Sequence, residues 1–334
     1  MAKAEIKRGV SLYSYQEKYY RGELSLEGTF AAAAATGVDG VEIVLEQMVP
    51  GYPSPRYNLS PQFRDEWHGL LSKYGMRAVA MDCYGETRLY KNRARSDAEL
   101  VAEMVELFRT AKALDFGIVR LSFHLPMTVI EALVPHAEAL DIRFGVEVHA
   151  PHRMDEAWVQ RNIEMIERTG TRHFGLVPDL GIFCRTLPGL VYDQALRQGA
   201  QPKIVEYIKD VYASREIPAD LAERVEAMGG NKVDAWLAAR VVFGVWTWHE
   251  PRHLLERMPY VIHVHGKFYE MNAEGVEPDV DYAAVMPVFE AGGYHGYISS
   301  EYEGQRLIHG VDKGYDEVEQ VRRHQAMIAR HLRH

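Results

Sequence analysis

Cysteine is scarce in this chain. The 334 residues hold only Cys83 and Cys184, far apart and with no Cys-x-x-Cys spacing. That excludes a zinc ribbon and a disulfide framework, and it leads us to expect a reducing, cytoplasmic setting. Basic residues are also short, with 38 Lys and Arg against 47 Asp and Glu and a formal charge of −9. A surface of that sign argues against general nucleic-acid binding, which needs attraction to phosphates. No apolar run is long enough to cross a bilayer, so no membrane partner is expected. Met1 to Arg8 runs straight into an apolar stretch without a signal-peptide core. Repeats and low-complexity segments are missing too. What remains is 47% hydrophobic and 25% charged, which suits a globular protein with a sizeable core.

The stretch Ile142 to His152 carries the first chemical signal. Gly145-Val146-Glu147-Val148-His149 reads as a short buried strand. Side chains alternate along a strand, so Glu147 and His149 share a face at its end. Seven further apolar segments read the same way: 6–15, 37–44, 76–83, 116–123, 173–179, 260–267 and 296–301. Helical patterns lie between them. Ser60-Pro61 is an N-cap followed by proline at the first helical position, opening a helix that Gly75 closes. Ser96-Asp97-Ala98-Glu99 is a capping box before a long helix. Eight strands, mostly apolar on both faces and alternating with helices, predict a parallel (β/α)8 TIM barrel; a doubly wound sheet is the structural alternative. Residues 47–59, with Tyr52 and Tyr57, read as a loop that helps shape the mouth.

The sixth and seventh strands are widely separated: Asp179 and His265 lie 86 positions apart. A barrel unit takes roughly 30 residues. A helical insert is therefore expected at about 185–255, within a single domain spanning 1–334. Its patches near 202–212, 219–228 and 232–240 carry no separate core. The insert is either a lid or an interaction surface over the mouth.

Glu147, Asp179, His265 and Glu301 fall at the ends of the last four strands. In a barrel those ends converge. Three carboxylates there repel, and a divalent cation removes the conflict. One imidazole with oxygen donors suits Mn²⁺ first, with Mg²⁺, Co²⁺ or Fe²⁺ next, better than a soft zinc site. The four residues are thus the expected metal ligands.

Five short motifs carry a family resemblance: Gly37-Val38-Asp39-Gly40-Val41-Glu42, Val146-Glu147, Pro178-Asp179-Leu180-Gly181, His265-Gly266-Lys267 and Ser300-Glu301. In this order the chain resembles the xylose-isomerase-like barrels, which include sugar phosphate isomerases and epimerases. The resemblance implies one divalent metal on the four residues named, with Glu147 and Glu301 also moving protons. Two positions depart from the epimerase pattern. Ile182 stands where those enzymes usually carry a histidine, and Met271 where they carry an arginine. Both family residues hold the polyol chain, so ordinary ketose epimerisation is not expected. In exchange the chain has His149, where epimerases often have an uncharged residue.

With the long insert, this combination resembles the α subunits of bacterial C-glycoside deglycosidases, which act with a small β subunit in a hetero-oligomer. The resemblance implies a lyase of carbohydrate metabolism that cleaves the carbon–carbon bond of a 3-oxo-C-glycoside. The 3-keto group acidifies the C2 proton, and β-elimination then expels the aglycone. His149 is the expected general base, Glu147 and Glu301 its catalytic companions; the alternative for His149 is a hydrogen-bond partner of Glu147. His124, His263 and Lys267 are expected substrate contacts, though a packed position deeper in the barrel suits His263 better. Glu42, Trp246, Trp248 and Tyr302 are further candidates for substrate or for core. The competing readings are a metal-dependent sugar or sugar phosphate isomerase or epimerase, an abasic-site endonuclease of the same barrel type, and a sugar-sensing scaffold.

Overall fold

The computed structural model describes residues 5–50, 59–83, 88, 90–121, 125–308 and 316–332. Eight parallel strands form one sheet: β1 Lys7–Ser11, β2 Gly40–Val44, β3 Arg77–Cys83, β4 Ile118–Leu121, β5 Arg143–Val148, β6 Phe174–Pro178, β7 Val264–Phe268 and β8 Tyr297–Tyr302. The hydrogen-bonded order is β6-β5-β4-β3-β2-β1-β8-β7. The edges meet through the bridges Leu176–Val261 and Asp179–His265, with Ile262 N–H donating to the Leu176 carbonyl at 3.0 Å. The sheet therefore closes, and the expected (β/α)8 barrel is the fold.

Local chemistry explains the elements around it. Ser60 Oγ accepts from Phe63 N–H, Pro61 opens the Pro61–Tyr74 helix, and Gly75 ends it at φ 63°. Ser96 and Glu99 form the reciprocal capping box of the Asp97–Ala113 helix. Outside the strands, Trp67 packs between Phe30 and Phe116 at 5.1 and 5.3 Å between ring centres, and its indole N–H reaches the Leu114 carbonyl. These apolar faces bury the helices against the barrel.

The first strand is shorter than the sequence predicts. It ends at Ser11, and Leu12–Tyr15 make a tight 3₁₀ turn. Ser14 causes this: its hydroxyl donates to the Ser300 carbonyl and accepts from Tyr302 N–H, competing with further strand pairing. The turn carries Tyr13 to the mouth. Between β6 and β7 lie helices Gly189–Arg197, Pro202–Ser214, Leu221–Ala227, Lys232–Phe243 and Arg252–Arg257. Their buried side chains, Ile208, Tyr212, Leu237 and Val241 among them, join the same apolar cluster as the barrel. No described helix is long and apolar enough to cross a membrane. Tyr52, Tyr57 and His124 fall outside the described residues.

The closing seam depends on a missing side chain. A Cβ on Gly175 would lie 2.4 Å from Ile262 Cγ2 and 2.7 Å from the Tyr260 carbonyl oxygen. Gly175→Ala is expected to cost about 1–3 kcal/mol through overpacking. Gly69, exposed inside the Pro61–Tyr74 helix with open space around it, gives the control. Gly69→Ala is expected to gain about 0.5–1 kcal/mol. Urea unfolding of both variants measures the contrast.

Candidate metal centre and mouth

The four strand-end residues meet. One ligand atom from each of Glu147, Asp179, His265 and Glu301 lies within 4.8 Å of the others, and all four residues are buried. Register places them: Val148 pairs with Pro178, Asp179 bridges to His265, and Lys267 pairs with Glu301. Glu147 Oε1 lies 2.7 Å from His265 Nδ1, and Glu301 Oε2 lies 3.4 Å from the same nitrogen. Asp179 is held at both oxygens. Gly181 N–H donates to Oδ1 at 2.7 Å, and the Lys267 ammonium lies 2.7 Å from Oδ2. A Cβ on Gly181 would collide with Asp179 Oδ1 and Lys267 Cδ, both at 2.9 Å, so the close approach requires glycine there.

His265 is oriented by what lies beneath it. Its Nε2 faces Glu42 Oε1 at 3.4 Å and Asp82 Oδ1 at 3.6 Å. Nε2–H points at these carboxylates and Nδ1–H donates to Glu147 Oε1, so loss of the Nδ1 proton would leave a lone pair turned toward the cluster. Asp82 and Arg120 are opposite one another across β3 and β4, with Nε 3.0 Å from Oδ1. The same guanidinium reaches Glu147 Oε2 at 3.4 Å.

These neighbours set the proton affinities. Burial favours a neutral Glu147, but the Arg120 guanidinium and the His265 imidazole outweigh it and hold that carboxyl well below the usual range. Burial likewise opposes charge on Asp82, yet Arg120 holds it down at about 2. Glu301 goes the other way. Burial, with the anions Asp179 and Glu147, pushes it up to about 8 despite Lys267 and His265. Burial disfavours charged His265 and Lys267, but the surrounding carboxylates raise both well above their ordinary values.

The donor set fits a divalent cation. Glu301 Oε2 is buried, receives no hydrogen bond among the described residues, and has its nearest cations at 3.4 and 3.8 Å. Carboxylate oxygens with one imidazole nitrogen are the donors of Mn²⁺-type sites.

His149 sits at the rim, its side chain 34% exposed. Its Nδ1 lies 2.6 Å from the Ala150 carbonyl oxygen. A carbonyl only accepts, so Nδ1–H donates this bond. Its Nε2 faces Asp179 Oδ2 at 3.7 Å rather than Glu147. A cavity of about 280 Å³ opens above the cluster, lined by His149, Lys267, Arg120, Tyr13, Glu303 and Arg306 among others.

His263 does not reach this cavity, which corrects its expected place among the substrate contacts. It is fully buried and hydrogen-bonded to Glu42. Two residues along a strand rise about 6–7 Å, so His263 shares the face of His265 but lies one layer lower. Tyr302 is buried against Phe268, Trp246 is buried, and Arg215 covers the Trp248 ring. Ile182 and Met271 are buried apolar residues. Sequence reasoning missed Asp82, Arg120, Tyr13 and Glu303. The signal for the first two was a lone charge inside each of two apolar strands, Val79 to Cys83 and Ile118 to Leu121. Tyr13 donates to Glu303 at 2.8 Å, a contact made by turns rather than by any strand pattern.

Metal uptake is expected to release protons, because Glu301 and His265 bind them near neutral pH in the metal-free chain. A group held up at about 8 must lose its proton to become a ligand, so affinity rises with pH through that value. Calorimetric titration with Mn²⁺ in buffers of different ionisation enthalpy is expected to report roughly one to two protons released per ion at pH 7. The count falls as pH is raised to 9. No release at pH 7 would contradict this charge assignment.

The xylose isomerase-like TIM barrel family model matches residues 30–331. The 3'-dehydrocarminate deglycosidase alpha subunit of Microbacterium sp. is 31% identical over 314 residues, covering 89% of this chain and 88% of the relative. The C-glycoside deglycosidase alpha subunit of Arthrobacter globiformis is 25% identical over 336 residues, covering 99% and 93%. Among solved structures, the D-allulose 3-epimerase of Methylomonas sp. aligns with a TM-score of 0.55 at 14% identity, covering 99% of this chain and 100% of that one, a likeness of fold. The chain belongs to the xylose isomerase-like TIM barrel family, and C-glycoside deglycosidase alpha subunits are among its relatives.

Proposed function

We propose that this chain is the catalytic α subunit of a C-glycoside deglycosidase, a lyase that splits a 3-oxo-C-glycoside into an unsaturated keto-sugar and its aglycone. The observation that carries the reading is a likeness to deglycosidase alpha subunits over most of both chains joined to an imidazole, His149, at the rim of a buried acid–imidazole cluster. Glu147, Asp179, His265 and Glu301 would hold one divalent ion, Mn²⁺ by preference. When bound, that ion supplies Lewis-acid stabilisation of negative charge on a substrate oxygen.

The remaining work falls to the chain's own groups. His149 Nε2 takes the C2 proton, which the neighbouring 3-keto group acidifies. The C2–H electrons form the enolate, and their return forms the C1–C2 double bond as the C1–aryl bond breaks. The imidazolium of His149 then returns a proton to the aryl carbon, so the reaction needs no oxidant and no water. Lys267 and Arg120, both cationic and lining the cavity, donate hydrogen bonds to developing negative charge. Asp179 accepts from Lys267 and fixes its ammonium. Ile182 and Met271 leave the mouth without the polyol-holding pair of the epimerases, which favours a keto-glycoside over a free ketose.

The relatives are named alpha subunits, and that supports a second, small β subunit as partner. Incubation with a 3-oxo-C-aryl glucoside, with and without such a partner, is expected to yield free aglycone by chromatography. Turnover of ketohexoses with no aglycone from the glycoside would favour a sugar isomerase or epimerase instead. His149→Asn is expected to keep its bound Mn²⁺ and to lose about 10²- to 10⁴-fold in turnover, the usual share of a general base. Full activity in that variant removes His149 from the role.

A further inference from the structure

A second group of metal-type side chains lies outside the barrel mouth. Asp155, in the turn after β5, faces His249 and His253, which precede and open the Arg252–Arg257 helix. One ligand atom from each of the three lies within 4.8 Å of the others. His249 and His253 have the His-x-x-x-His spacing that brings two imidazoles to one ion. Their ring centres are 4.8 Å apart, and the rings lie within 14° of parallel.

His249 is only 4% exposed, and its Nε2 is buried without a hydrogen-bond partner among the described residues. An unsatisfied buried nitrogen is destabilising unless something binds it. Its other nitrogen, Nδ1, stands 3.9 Å from Asp155 Oδ1. Asp155 and His253 also have charged neighbours, which an ion would displace or share. Arg153 Nε approaches Asp155 Oδ1 at 3.4 Å, and Glu256 Oε2 lies 3.5 Å from His253 Nδ1. A cavity of about 390 Å³ reaches all three residues, bordered also by Trp246, Trp248 and Tyr212, and it leaves room for water as a further ligand.

We infer that Asp155, His249 and His253 form a second metal site, for Zn²⁺, separate from the centre at the barrel mouth. Two imidazoles and one carboxylate with an open position are a zinc donor set, unlike the oxygen-rich mouth cluster. The ion would tie the turn after β5 to the segment that leads into β7. That turn begins next to His149, so the clamp fixes the backbone that presents the rim imidazole. A second tie lies close by. Gly244, ahead of the same segment, approaches Pro151 so closely that a Cβ there would stand 3.1 Å from the proline ring.

The test uses the full chain loaded with ZnCl₂ and dialysed, with zinc per chain counted by plasma emission. His253→Ala and Asp155→Asn are each expected to hold one zinc fewer than the wild type. Both change partly exposed side chains, and circular dichroism verifies their folding. The wild type is expected to melt at a higher temperature with Zn²⁺, and the two variants to gain less. Equal zinc content in the wild type and either folded variant overturns the proposal. So does a wild type whose melting temperature Zn²⁺ leaves unchanged.

Discussion

The barrel mouth is governed by the need to compensate buried negative charge. Five carboxylates, from Glu42, Asp82, Glu147, Asp179 and Glu301, are gathered on the strand ends with little contact with water. Arg120, Lys267 and His265 are set among them, each within reach of at least two acids. Breaking such a buried pair by removing one partner costs about 3–5 kcal/mol, so these side chains fix one another's positions. The arrangement also sorts the acids. Glu147 and Asp82 stay ionised beside Arg120, whereas Glu301, flanked by other anions, keeps its proton to about 8. One carboxyl is left without full compensation at the point where a divalent cation would bring it.

The same charges give the mouth a vertical order. His263 and Glu42 form the lower layer, and His265 spans between layers with one nitrogen down and one up. The upper layer carries Glu147, Asp179 and Glu301. His149 stands at the rim, with Nδ1 against the Ala150 carbonyl and Nε2 toward Asp179.

Much of this was legible in the sequence because parallel strands repeat one signal. An apolar run ending in Glu147, Asp179, His265 or Glu301 announces both strand and site, and barrel topology makes the ends converge. Depth was not legible. The period of two puts His263 and His265 on one face but does not say which layer faces the cavity. Arg120 and Asp82 were visible as isolated charges in apolar strands, yet only the β3–β4 register reveals them as a pair. Tyr13 and Glu303 depend on turns that Ser14 shapes through contacts nearly three hundred positions away, beyond any local pattern.

The proposed reaction rests on one step, removal of the proton at C2 of the 3-oxo-sugar before the carbon–carbon bond breaks. The direct measurement uses a 3-oxo-C-aryl glucoside labelled with deuterium at C2, with the products followed by mass spectrometry. Aglycone release is expected to be slower than from unlabelled substrate, and the unsaturated keto-sugar to have lost the deuterium from C2. Deuterium retained at C2 of the sugar product would contradict that step.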